Sequence, residues 1–195
     1  TDSGKVTGVR LKSGEHIAAN LVISNADSAW TYKHLLSETP KRKWTDRKID
    51  KAHYSNGLFV WYFGTKKHYP DIPHHSIILG PRYKGLLTDI FKHKKPTEDF
   101  SLYLHRPTAT DPSMAPEGCD AFYALVPVPH LDSGTDWTTH AEIFRRAVEK
   151  RLEETGLPDL GANLATSLML TPLDFQNRLN SVKGAGFSLE PRITQ

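Results

Sequence analysis

The 195-residue chain holds one cysteine, Cys119, and two methionines. A lone thiol excludes an internal disulfide framework and fits a reducing compartment. Cys119 sits in a loop rich in Pro and Gly with no pattern to hold it as a thiolate, so it reads as a buried or incidental thiol. No apolar run approaches the ~18 residues of a membrane-spanning helix, and no signal peptide is present. A marked excess of one charge is also lacking. The net charge of +3 comes without a basic stripe or recognition motif, so no nucleic-acid partner is expected. The densest basic run, Lys92-His93-Lys94-Lys95, reads as a solvated loop.

The usual chemical signatures are missing too. There is no G-x-G-x-x-G, no G-x-x-x-x-G-K-[ST] and no H-E-x-x-H, nor a G-x-S-x-G nucleophile elbow. Ten histidines occur without ligand spacing. His74 and His75 are adjacent and on a strand would face opposite ways, so no metal site is expected. Asp111 and Glu117 share a loop, but acid–base work needs a defined separation between carboxylates. Side chains cannot accept a hydride, so redox chemistry here requires a cofactor.

What is present is a chain of β-rich runs followed by a helix. Residues 5–12 and 15–23 predict a hairpin across a two-residue Ser13-Gly14 turn, with a bulge at Gly8. The consecutive apolar residues Leu21-Val22-Ile23 predict a strand covered on both faces. A helix is expected from Ser28 to about Ser37, capped by Asp27 or Ser28, and a charged helix or loop over 40–50. Residues 57–64, GLFVWYFG, predict a strand apolar on both sides. Further strands are expected over 76–79, 86–91, 100–105 and 121–128. Such a run of strands without intervening helices predicts a mainly antiparallel sheet. Thr139 and Glu142 suggest a capping box for a helix carrying Phe144, Val148 and Leu152, stopped by Gly156 and Pro158.

The most specific wording is residues 102–131, LYLHRPTATDPSMAPEGCDAFYALVPVPHL. This stretch closely resembles the bacterial-type phytoene desaturases, flavoproteins that dehydrogenate carotenoid precursors. The resemblance extends over almost the whole chain. Residues 1–27 resemble the middle segment of the FAD-binding domain, ending in V-I-S-N-A-D. Residues 28–170 resemble the inserted substrate domain, and 171–195 the return toward the FAD domain. The expected fold is thus mixed α+β and α/β: an antiparallel substrate domain with helices, flanked by parts of a Rossmann-type, amine-oxidase-like FAD domain. Neither the family's glycine-rich fingerprint nor its closing G-A-G-T-H-P-like segment occurs, so an internal piece of the enzyme is expected.

The resemblance implies FAD-dependent desaturation of phytoene toward lycopene or neurosporene, with reduced flavin reoxidised by an external electron acceptor. It also implies a peripheral place on the cytoplasmic membrane surface, where phytoene and partly desaturated carotenoids reside. Such ligands offer no polar handle, so apolar area must bind them. Phe59, Trp61 and Phe63, or the alternate set Leu58, Val60 and Tyr62, would supply one wall, or both sets are sheet core. Asn25, Ala26 and Asp27 are the expected flavin neighbours, since strand ends border cofactors in such folds; helix capping is the other role for Asp27. Phe187 and Glu190 are expected to border the cavity. The catalytic base is not identified. Open alternatives are a diapophytoene or methoxyneurosporene desaturase, or a non-catalytic lipid-binding module of the same ancestry.

Overall fold

A nine-residue strand, β3 (Gly57–Thr65), anchors the architecture because both its faces are apolar enough to be covered. The computed structural model describes residues 4–36 and 43–192. In it β3 pairs antiparallel with β6 (Asp120–Val128) on one side and with β7 (Leu164–Leu170) on the other. Strands β4 (His75–Ile78) and β5 (Leu102–His105) complete a five-stranded sheet in the order β4-β5-β6-β3-β7, every pairing antiparallel.

One face of this sheet is covered by α4 (Trp137–Thr155), a 19-residue helix. Phe144, Val148 and Leu152 recur four residues apart, which aligns them on one stripe, and all three are buried. They meet Phe59, Trp61, Phe122, Ala124 and Val126 from the strands. Phe144 stands edge-on to Phe59 at 5.1 Å between centroids, and the Arg145 guanidinium lies 5.1 Å from the Trp61 ring. The cap differs from expectation. Asp136 accepts the Thr138 N–H at 2.9 Å, while Glu142 is occupied by Arg145 and Arg146. An Asp at the helix start outcompetes Thr139 for the free amides. Gly156 ends the helix as expected.

A second, smaller core gathers Ala29, Ile49, Tyr54 and Ala185. It joins α1 (Ser28–Trp30), which continues as a π-turn over Thr31–Leu35, to α2 (Asp46–Lys51). Residues near 181–190 close it, through bridges Tyr54↔Leu189 and Gly57↔Ala185 and a 2.8 Å Ser28–Ser188 hydroxyl contact. They follow α5 (Pro172–Leu179), which opens with a Thr171/Asp174 capping box.

Three expectations are corrected. The hairpin of β1 (Gly8–Arg10) and β2 (His16–Ala18) closes through a longer loop. Leu11 N–H donates to Glu15 and Gly14 N–H to Leu11, with Gly14 at φ +91°. This is a turn followed by a left-handed glycine, not a two-residue turn. At Gly8, φ is +151° and a Cβ would sit 2.1 Å from the Ile17 carbonyl, so glycine is required there. Leu21-Val22-Ile23 forms no strand among the described residues; Leu21 is 75% and Ile23 87% exposed. Residues 86–91 are helical, in α3 (Tyr83–Thr88) and a following π-turn, Asp89–His93. Leu86 and Ile90, four apart, bury inward, whereas a strand would have placed alternate residues inward. The fifth strand is β7 instead. The expected 40–50 segment lies partly outside the described residues.

Candidate functional site: an open tyrosine-lined sheet face

The face of the sheet opposite α4 is assembled by strand register. His75, His105, Tyr123, Tyr62 and Leu168 are cross-strand partners in one row across all five strands. A second row reads Ile77, Tyr103, Leu125, Val60 and Leu170. Four strand spacings of ~4.8 Å give this surface a width of roughly 19 Å. Its aromatic members touch: Tyr62–Tyr123 at 5.5 Å, Tyr103–Tyr123 at 5.7 Å and His105–Tyr123 at 4.7 Å between centroids. Tyr62 is 41%, Leu168 52% and Ile77 73% exposed, so the surface is open.

The connection from β5 to β6 folds over one end of this face. Met114, Ala115, Pro116 and Cys119 oppose Tyr62 and Leu168 across a predominantly apolar cleft of about 420 Å³. The loop is pinned from beneath. Asp120 accepts Arg106 Nε at 3.1 Å and the Thr108 hydroxyl at 2.5 Å on one oxygen, and the Tyr69 N–H at 2.7 Å on the other. Arg106 also donates to the carbonyl of Ile72 at 2.6 Å. Burial pushes the Asp120 carboxyl up, but the bonds from Thr108, Tyr69 and Arg106 together hold it below the usual range. The motif that carried the family resemblance therefore anchors the loop lining this cleft.

No carboxylate, lysine or arginine lies in either row of the face. Burial, then the hydrogen bond to Tyr103, raises the Tyr123 hydroxyl to about 12. Burial, then the neighbouring His74 and His75, lowers His105. Both groups are therefore neutral at neutral pH. A wall of this kind can cover apolar surface by area, and its two rows supply no nucleophile–base pair.

The expected wall residues divide between faces. The side chains of Phe59 and Trp61 are fully buried and that of Phe63 nearly so, packed in the main core. The open face belongs to the alternate set, of which Tyr62 is exposed and Val60 lies in the second row. Tyr103, Tyr123, Leu125 and Leu168 escaped the sequence reading. The alternation in 102–105 and 121–128 carries the signal, since odd-numbered residues face away from the core.

Asn25, Ala26, Asp27 and Phe187 line one cleft of about 480 Å³, together with Ser28 and Phe175. Asp27 caps α1, its Oδ1 accepting the Trp30 N–H at 2.9 Å. Its Oδ2 is buried and without a hydrogen-bond partner. An orphaned acceptor beside an open cleft fits one wall of a dinucleotide site, where ribose and ring donors need acceptors. Glu190 is elsewhere, against Arg192 and the polar cleft near Tyr54. The histidines also contradict their expected separation. His74 precedes β4, its ring turns toward His75 and His105, and nitrogens of all three lie within 4.8 Å of one another.

The fold is mixed α/β with an antiparallel sheet, and a structure of an oxidoreductase from Methanosarcina mazei shares it, superposing with TM-score 0.54 at 18% identity and covering 87% of this chain and 35% of that one. No family model matches the chain. In sequence it is 51% identical over 199 residues to a phytoene desaturase (neurosporene-forming) of Cereibacter sphaeroides. It is 43% identical over 196 residues to a phytoene desaturase (lycopene-forming) of Pantoea ananas. Both alignments include 100% of this chain, which spans 38% and 40% of those two proteins. Across its whole length the chain is similar to part of these phytoene desaturases and spans less than half of each. No helix among the described residues is long and apolar enough to cross a membrane.

Proposed function

We propose that this chain supplies the substrate-binding part of an FAD-dependent carotenoid desaturase that takes phytoene toward neurosporene or lycopene. Residues 28–170 form the substrate part on this reading, and 1–27 and 171–195 belong to the flavin domain. The observation that carries the reading is the 51% and 43% identity, across all of this chain, to two proteins named as phytoene desaturases. The geometry agrees with it. A face with no carboxylate, lysine or arginine in its two rows, beside an apolar cleft, suits a ligand without polar groups, at ~25 cal/mol per Å² of apolar area removed from water.

Asn25, Ala26, Asp27 and Phe187 border the cofactor on this reading, with Asp27 Oδ2 available as an acceptor. Bound FAD supplies the hydride acceptor, and an external acceptor takes the electrons onward. The open face holds the hydrocarbon in place and excludes water from it. Phytoene arrives from a bilayer, and α3 offers a contact for its surface. Tyr83, Leu87 and Phe91 are exposed at four-residue spacing beside Lys84, Lys92 and Lys95. On this reading the protein sits peripherally on the cytoplasmic side of the membrane.

The test is expression of the full-length gene product and assay with FAD and phytoene-loaded liposomes. Coloured polyenes are the expected product. Unchanged phytoene with FAD bound to the protein would contradict the reading.

A further inference from the structure

We infer that His74, His75 and His105 form a binding site for a divalent transition metal of borderline softness, such as Zn²⁺ or Co²⁺. The three offer nitrogen atoms that lie within 4.8 Å of one another, from the start of β4 and the end of β5. His75 and His105 are direct cross-strand partners, and the His74 carbonyl accepts the Arg106 N–H at 2.9 Å. That bond continues the β4–β5 register one step past the assigned strand, setting His74 opposite Arg106, and its ring turns to join the other two. Ring centroids are 4.3 Å apart for His74–His75 and 4.6 Å for His74–His105.

The surroundings match those of a ligand set. His74 Nδ1 is held by the Thr110 hydroxyl, and His75 Nδ1 by the Tyr103 hydroxyl at 2.6 Å. Hydrogen bonds at Nδ1 fix the ring orientation and direct Nε2 inward, as outer-shell partners of metal-bound histidines do. The Nε2 atoms of His74 and His105 face each other at 2.7 Å. Ligands ~2.05 Å from a tetrahedral metal stand about 3.3 Å apart, so the pair must open by roughly 0.6 Å. Small ring rotations supply that, and His75 is exposed enough to move. His105 Nδ1 is buried without a partner, so apart from the contact with His74 no hydrogen bond holds this ring in place.

The donor set decides the class of ion. Three imidazoles and no carboxylate select against Mg²⁺ and Ca²⁺, which require oxygen, and favour Zn²⁺, Co²⁺, Ni²⁺ or Cu²⁺. Three ligands leave a coordination position for water or a small ligand. Because β4 is the edge strand, the bound ion would staple it to β5 at the rim of the tyrosine face. This inference does not depend on the desaturase reading.

The experiment is titration of the chelator-treated full-length protein with Zn²⁺ by calorimetry and with Co²⁺ by visible absorption. We expect one saturable site per chain, a Co²⁺ spectrum of a low-coordinate nitrogen site, and a rise in Tm on Zn²⁺ addition. His74→Gln and His75→Gln each lower affinity at least tenfold, while His16→Gln on the distant hairpin leaves it unchanged. His75→Cys keeps the ion and adds a thiolate-to-cobalt charge-transfer band, a gain that unfolding cannot mimic. Absence of saturable binding, binding unaltered in His74→Gln and His75→Gln, or no new band in His75→Cys would each overturn the assignment.

Discussion

Arg106 Nε stands 3.1 Å from Asp120 Oδ1, and both side chains are withdrawn from water, at 4% and 0% exposure. The pair joins the end of β5 to the start of β6 beneath the loop that covers the open face. Removing one partner leaves a buried charge without compensation. Arg106→Met is expected to cost about 3–5 kcal/mol, read by urea denaturation. Asp120→Asn keeps the shape and should cost less. A double variant losing no more than either single one confirms direct coupling.

Acid should weaken the fold through the same carboxylates. Asp120, Asp132 and Asp136 all have folded pKa values below the ordinary range. For Asp120 and Asp132 burial opposes this and the hydrogen bonds prevail, from Thr108 for Asp120 and from Lys183 for Asp132. Their contribution is complete above the unfolded pKa of about 4 and disappears as pH falls through the depressed values. Tm should therefore hold from pH 7 to 5 and drop below pH ~4. Asp120→Asn should flatten part of that drop in a pH series of thermal melts.

The two faces of β3 should respond differently to truncation. Phe59→Ala opens a cavity against Trp137 and Phe144 and is expected to cost about 3–5 kcal/mol of stability. Tyr62→Ala on the opposite, exposed side should change Tm by only a degree or two. Paired melting curves decide this.

Charge placed on α3 tests the membrane contact. Leu87→Glu and Phe91→Glu alter exposed positions outside the core. The double variant should sediment with anionic liposomes at least tenfold less than the parent, with unaltered melting.

Much of the fold was legible in the sequence because it obeys period-two or period-four patterning. Strands β5 and β6 and helix α4 each bury the residues their spacing selects, and β3 buries most of both its faces as its two apolar sets predict. The misses have physical causes. Residues 86–91 carry mixed apolar runs short enough to suit either period, and packing of Leu86 and Ile90 decided for the helix. Strand β7, LATSLML, is built from Leu, Ala and Met, whose intrinsic preference is helical, and only pairing with β3 makes it extended. At the site, Asn25–Asp27 and Phe187 meet in one cleft although 160 residues separate Asp27 from Phe187 in sequence, a proximity no local pattern encodes. The histidine cluster was invisible because the His74 ring turns toward His75 and His105 at the position where alternation was assumed.

The most direct test is phytoene turnover by the full-length protein and its Leu125→Lys variant in loaded liposomes. Leu125 lies mid-face between Tyr103 and Val60, and its substitution adds a charge where the ligand is proposed to lie. The account predicts at least a tenfold loss of coloured product, with FAD content and Tm retained. Undiminished turnover in that variant would contradict it.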